Sequence, residues 1–129
     1  MLPVERIDHG VTAWHDEVLM ERLAQAQLPL TVCPLSNLRL KVVPSLEAHP
    51  LKKMLDRGLL VSVHSDDPPY FGGYVNENLQ ACFTALSLSV EDIAALARNS
   101  FLGSFAPADE IRKNVDAVNH HLSAFLADR

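Results

Sequence analysis

Residues 59–69, Leu59-Leu60-Val61-Ser62-Val63-His64-Ser65-Asp66-Asp67-Pro68-Pro69, run from an apolar stretch directly into two carboxylates and two prolines. A short apolar run bounded by turn residues is the pattern of a buried parallel strand, here Leu59 to His64. Proline cannot donate to a strand ladder, so the strand ends before Pro68 and leaves Ser65, Asp66 and Asp67 at its C-terminal end. The same arrangement recurs twice upstream. Val4 to His9 reads as a strand ending in His9 and Gly10. Leu30 to Cys33 reads as another, running into Pro34-Leu35-Ser36-Asn37, a segment with the composition of a loop.

Helical patterns separate these strands. Asp16 to Gln27 carries Val18, Leu19, Leu23 and Ala26 at the spacing of one helix face. His49 to Arg57 predicts a short helix with Pro50 in its first turn and Gly58 as its stop. Asn76 to Leu86, Ser89 to Asn99 (Ser89 as N-cap, Asp92 three residues on) and Ala108 to Leu126 complete the set. Strands alternating with helices imply an α/β fold with a parallel sheet. No Gly-rich phosphate loop follows the first strand, which argues against a doubly wound nucleotide fold. Polar groups after successive strands are the signature of a TIM barrel, whose eight strands need about 250 residues. The 129 residues would then hold less than half of one, as a single segment spanning 1–129.

Composition narrows the function classes. A formal charge of −5 with scattered Lys and Arg gives no basic face for nucleic acid. No apolar run is long enough for a membrane span, the N-terminus lacks a leader pattern, and a cytoplasmic location is expected. Cys33 and Cys82 are too far apart for a Cys-x-x-Cys zinc site.

The chemistry lies at the strand ends. Side chains alternate along a strand, so Asp66 and Asp67 should point to opposite sides, one toward a metal and the other toward a ligand. Asp-Asp-Pro is also ordinary turn and N-cap sequence, and the tetrapeptide alone leaves both readings open. His9, followed by a glycine, can bind a metal or take a proton from a water. A strand-end His is equally suited to a structural hydrogen bond.

Together, Arg6-Ile7-Asp8-His9-Gly10, Cys33-Pro34-Leu35-Ser36-Asn37 and Ser65-Asp66-Asp67-Pro68 resemble, in order and spacing, the motifs of the adenosine/adenine deaminase family. Ala97-Arg98-Asn99-Ser100-Phe101, with Ser104-Phe105, is similar to the family's closing helical motif. The resemblance implies a (β/α)₈ barrel with one zinc ion, of which this chain would be the C-terminal part: about strands six to eight and the terminal helices. It implies that catalytic His9 handles the hydrolytic water, that Asp66 is a metal ligand, and that Asp67 contacts N7 of a purine. The reaction would replace the C6 amino group of a small-molecule purine and release ammonia. Pro68-Pro69-Tyr70-Phe71-Gly72-Gly73-Tyr74 and Asp8 resemble the adenine-specific members, with adenosine as the alternative substrate. His64 departs from the family's usual residue.

The family's early His-x-His pair, third zinc-binding His and ring-protonating Glu have no counterpart here. His120-His121 reads as a solvated pair, and His15 and His49 match no ligand. The chain alone is therefore expected to bind zinc weakly and to be inactive. A non-catalytic truncated product is the rival reading. Pairing with a missing N-terminal half, or self-association through an uncovered apolar sheet face, would be its partner interactions.

Overall fold

A computed structural model describes residues 4–128, so Met1–Pro3, at the start of the segment tested for a leader, lie outside it. The fold is mixed α/β and mostly helical. A 3-10 turn, Gly10–His15, leads into α1 (Glu17–Ala26), β1 (Leu30–Val32), α2 (Pro34–Arg39), α3 (Leu51–Asp56) and β2 (Val61–Val63). Then come α4 (Pro68–Phe71), α5 (Val75–Ala85), α6 (Val90–Leu102) and α7 (Ala108–Ala127). The helix signals in the sequence act as expected. Asp16 caps α1 by accepting from the Leu19 amide at 3.0 Å. Ser89 and Asp92 form the capping box of α6, with bonds of 3.1 and 2.9 Å.

β1 and β2 are parallel, with Leu30 opposite Val61 and Val32 opposite Val63. The third expected strand, Val4 to His9, is not one. Only Ile7 pairs, in a single parallel bridge to Leu30. Its amide donates to Pro29 O at 2.9 Å and its carbonyl accepts from Thr31 N at 3.1 Å. Pairing stops there because His9 turns into left-handed backbone, φ 58°. Pro34-Leu35-Ser36-Asn37 is likewise helix α2 rather than loop. Proline at the first helical position is pre-set for a helix, so the residues that suggest a loop suit a first turn equally well.

Leu30, Val32, Val61 and Val63 form one core with Met20, Leu23, Leu51, Met54 and Leu96. Every residue of β1 and β2 is buried, so neither strand shows the expected bare apolar face. Alternation sends these residues toward the helices and leaves Thr31 and Ser62 on the other face, both buried. Asn99 of α6 donates to Val61 O at 2.9 Å, tying the closing motif to β2. No helix among the described residues is long and apolar enough to cross a membrane.

Candidate active site at the strand ends

Three segments converge beyond the C-terminal ends of the strands. His9 Nε2 lies 3.9 Å from Asp66 Oδ2. Cys33 Sγ joins them, so that one ligand atom from each of the three lies within 4.8 Å of the others. Asp66, like His9, is left-handed, at φ 57°. Such backbone is uncommon outside glycine; Gln27, Lys41 and Ser87 share it elsewhere, and His9 and Asp66 are the two described cases at this rim. The turn after His9 depends on Gly10, where a Cβ would meet Leu30 Cδ2 at 2.7 Å.

Asp66 is held by Ser36, whose hydroxyl donates to Oδ2 at 2.7 Å. Ser36 is buried, and α2 is pinned on both sides. Leu35 N donates to Asn78 Oδ1 at 3.0 Å, while Asn37 Oδ1 lies 3.0 Å from His49 Nε2. Because His49 Nδ1 accepts from Leu51 N at 3.1 Å, Nε2 carries the proton donated to Asn37. Burial pushes the His49 pKa down to about 4, keeping it neutral. Burial likewise pushes the Cys33 thiol up to about 11.

Asp67 begins α4, and its carbonyl accepts from Tyr70 N and Phe71 N at 3.1 and 2.9 Å. It follows Asp66 on the same exposed turn, four residues beyond the last strand residue, Val63. Both residues thus lie past the end of β2, where strand alternation does not apply. His64 stands just past β2, its amide donating to Val32 O at 2.8 Å, with Nε2 2.8 Å from Ser62 Oγ and a pKa lowered by burial and by Arg6. His120 and His121 are exposed with rings 6.0 Å apart, and exposed His15 stacks against Trp14.

Nitrogen, sulfur and carboxylate oxygen are the donor types zinc takes. An ionised carboxylate has capacity beyond one hydrogen bond, so the bond from Ser36 does not disqualify Asp66 as a ligand. The donor chemistry fits, with fewer protein donors than a full four-coordinate site. The largest cavity described, about 400 Å³, lies elsewhere and is lined by Glu17, Val18, Met20, Glu21, Ala24 and Arg57 among others. It contains no residue of the rim.

Sequence reasoning brought His9 and Asp66 to the rim correctly. It gave no role to Cys33, Ser36, Asn78 or Thr31. Ser36 and Cys33 carried a usable signal, since both stand just after a buried strand, β1. Asn78, on a helix, carried none.

The chain is similar to proteins of known family. The family model for adenosine deaminase matches residues 1–121. An adenine deaminase of Cupriavidus taiwanensis is 54% identical over 124 residues, covering 96% of this chain and 35% of the relative. The crystal structure of an Arthrobacter aurescens adenine deaminase superposes with a TM-score of 0.90 at 48% identity, covering 93% of this chain and 37% of that one. A Burkholderia ambifaria amidohydrolase with bound Zn gives 0.75 at 25% identity, covering 94% and 36%. The chain thus spans about a third of the length of the relatives it matches. Matched over nearly its whole length by the family model, it belongs to the adenosine deaminase family.

Proposed function

We propose that this chain is part of a zinc-dependent adenine deaminase acting in the cytoplasm, which hydrolyses adenine to hypoxanthine and ammonia. It forms the C-terminal part of a (β/α)₈ barrel, about strands six to eight and the terminal helices. The observation that carries this reading is the approach of His9 Nε2 to Asp66 Oδ2, 3.9 Å apart at the strand ends, in a chain more than half identical to an adenine deaminase. The identity favours adenine over adenosine as substrate.

Asp66, held by Ser36, would be the protein's carboxylate ligand, and His9 the base that takes a proton from water. Zinc, when bound, supplies Lewis-acid activation of water near neutral pH. The water oxygen bonds to C6, the C6–N bond breaks, and the amine leaves as ammonia with the proton returned to it. Asp67, next to Asp66, holds N7 of the purine through one proton carried by N7 or by the carboxyl. The described residues gather three donors, His9, Cys33 and Asp66. The isolated chain is therefore expected to lack turnover.

The test compares the 129-residue chain with a protein extended to the length of the relatives. Zinc content and ammonia release are measured with adenine and with adenosine. Adenine turnover only in the longer protein is the expected result. Preference for adenosine would move the substrate assignment, and turnover by the short chain at ~1 s⁻¹ or more would refute the need for further segments.

A further inference from the structure

We infer that Thr31, Asp8 and Arg6 form a positioning relay that fixes the backbone of His9, anchored on the distant segment Gly103–Phe105. The starting point is a substitution in the hydrogen-bond ladder. Along the bridge between Ile7 and Leu30, Ile7 N bonds Pro29 O and Thr31 N bonds Ile7 O. A parallel ladder would next send His9 N to the carbonyl of Thr31. Instead, His9 N donates to the Thr31 hydroxyl at 3.2 Å. The side chain of Thr31 thus ends the pairing and receives the chain as it enters its left-handed turn.

The hydroxyl passes its own proton on, donating to Asp8 Oδ1 at 3.2 Å. The same oxygen accepts from Arg6 Nε at 2.9 Å. One carboxylate oxygen has the capacity to accept from both donors at once. Arg6 in turn donates from Nη1 to Gly103 O at 3.3 Å, and its guanidinium lies 4.5 Å from the centre of the Phe105 ring. Gly103 is itself confined, since a Cβ there would meet Pro29 Cβ at 2.9 Å, just before β1. A continuous path therefore runs from the end of α6 through Arg6, Asp8 and Thr31 to the His9 amide. Each link uses a different capacity: ring face and carbonyl for Arg6, carboxylate oxygen for Asp8, one accepted and one donated bond for Thr31.

This relay deepens the proposed function, resting on His9 as the water-handling group. A strained backbone persists only where its surroundings over-determine it. No side-chain cap bond is made by His9 itself at the start of the 3-10 turn. The relay supplies the hold from outside.

The test is Thr31→Val, which keeps the branched shape and removes the hydroxyl, with Thr31→Ser as the rescue. In the full 129-residue chain, hydrogen exchange at the His9 amide and its backbone carbon shifts are read by NMR. Thr31→Val is expected to speed exchange at His9 on the order of tenfold relative to the core amides of Val32 and Val63. The shifts should move out of the left-handed range, and Thr31→Ser should restore both. Arg6→Lys, which cannot bridge Asp8 and Gly103 in one plane, should give a smaller change of the same sign. If Thr31→Val leaves His9 exchange and shifts at wild-type values, the relay is refuted. If Thr31→Val unfolds the chain, Arg6→Lys and Asp8→Asn decide by the same readout. In the protein of full relative length, the functional consequence is a fall in kcat at unchanged KM. A moved backbone with kcat intact would overturn the role of His9 while leaving the relay standing.

Discussion

At the strand ends, His9 and Asp66 both hold left-handed backbone, at φ 58° and 57°, and their carboxylate and imidazole stand in solvent-accessible positions. From Val90 to Ala127 no described residue has positive φ. There, a Ser89–Asp92 capping box opens α6 and α7 runs for 20 residues. The tail keeps to ordinary helical backbone, whereas His9 and Asp66 at the rim depart from it, as Gln27, Lys41 and Ser87 do elsewhere. A non-glycine residue in left-handed backbone costs roughly 1–2 kcal/mol. The rim offsets that cost with bonds from elsewhere: Ser36 to Asp66, Thr31 to His9, and behind them Asn78 and His49 fixing α2. Left-handed backbone by itself does not single out the rim, but there His9 and Asp66 are each also bonded by a hydroxyl from another segment, Thr31 and Ser36.

The largest expected effects fall at the rim. In the protein extended to the length of its relatives, Asp66→Ala should lose both bound zinc and turnover, because a carboxylate is removed from a site with few spare donors. Asp67→Ala should retain the metal and lose purine binding and rate. His9→Ala should also retain most of the metal and lose about 10²–10⁴-fold in turnover, the usual contribution of a general base. Metal analysis alongside ammonia release separates the three. Equal zinc loss in the Asp66 and Asp67 variants would erase the division of roles between adjacent carboxylates.

Much of the helical framework was legible because caps, prolines and apolar spacing act locally. The α1 cap at Asp16, the α6 box and the Gly58 stop all stand where short-range rules put them. Two expectations failed for physical reasons. Val4 to His9 has strand composition, yet Thr31 intercepts its ladder through a side chain, a contact 22 residues away in sequence. Pro34 to Asn37 has loop composition, yet its polar groups are satisfied by Asn78 and His49 inside the protein. The rim was legible as a set of strand ends, while its supports were not, since a helix-borne Asn or a buried neutral His has no sequence mark of its own.

His49 offers a test of intermediate size, directed at a rim support. Its free pKa of 6.5 falls to about 4 in the folded chain, so the unfolded chain binds more protons between those values. Stability is therefore full above about pH 6.5 and falls as pH drops toward 4, by up to about 3 kcal/mol. His64, also lowered by burial, adds to the loss with the same sign. Urea unfolding followed across this window measures it. A flat profile from pH 6.5 to 4 would mean that His49 is not held neutral beneath α2.

The smallest expected effect belongs to the tail and tests whether the two regions are separable. Ser89 Oγ accepts from Asp92 N at 3.1 Å, and Asp92 Oδ2 accepts from Ser89 N at 2.9 Å. Ser89→Ala removes the first of these and should cost about 1 kcal/mol, the usual worth of an N-cap. The loss should appear as a lower denaturant midpoint at unchanged slope, since the surface exposed on unfolding stays the same. The other end of α6 carries Asn99, which bonds Val61 O, and leads to Gly103, which accepts from Arg6. A frayed first turn lies more than two helical turns from Asn99 and should not reach either contact. Hydrogen exchange at the His9 amide should then match the wild type once corrected for global stability. Faster local exchange at His9 in Ser89→Ala would show that the cap supports the rim, and the contrast between a self-sufficient tail and a supported rim would fail.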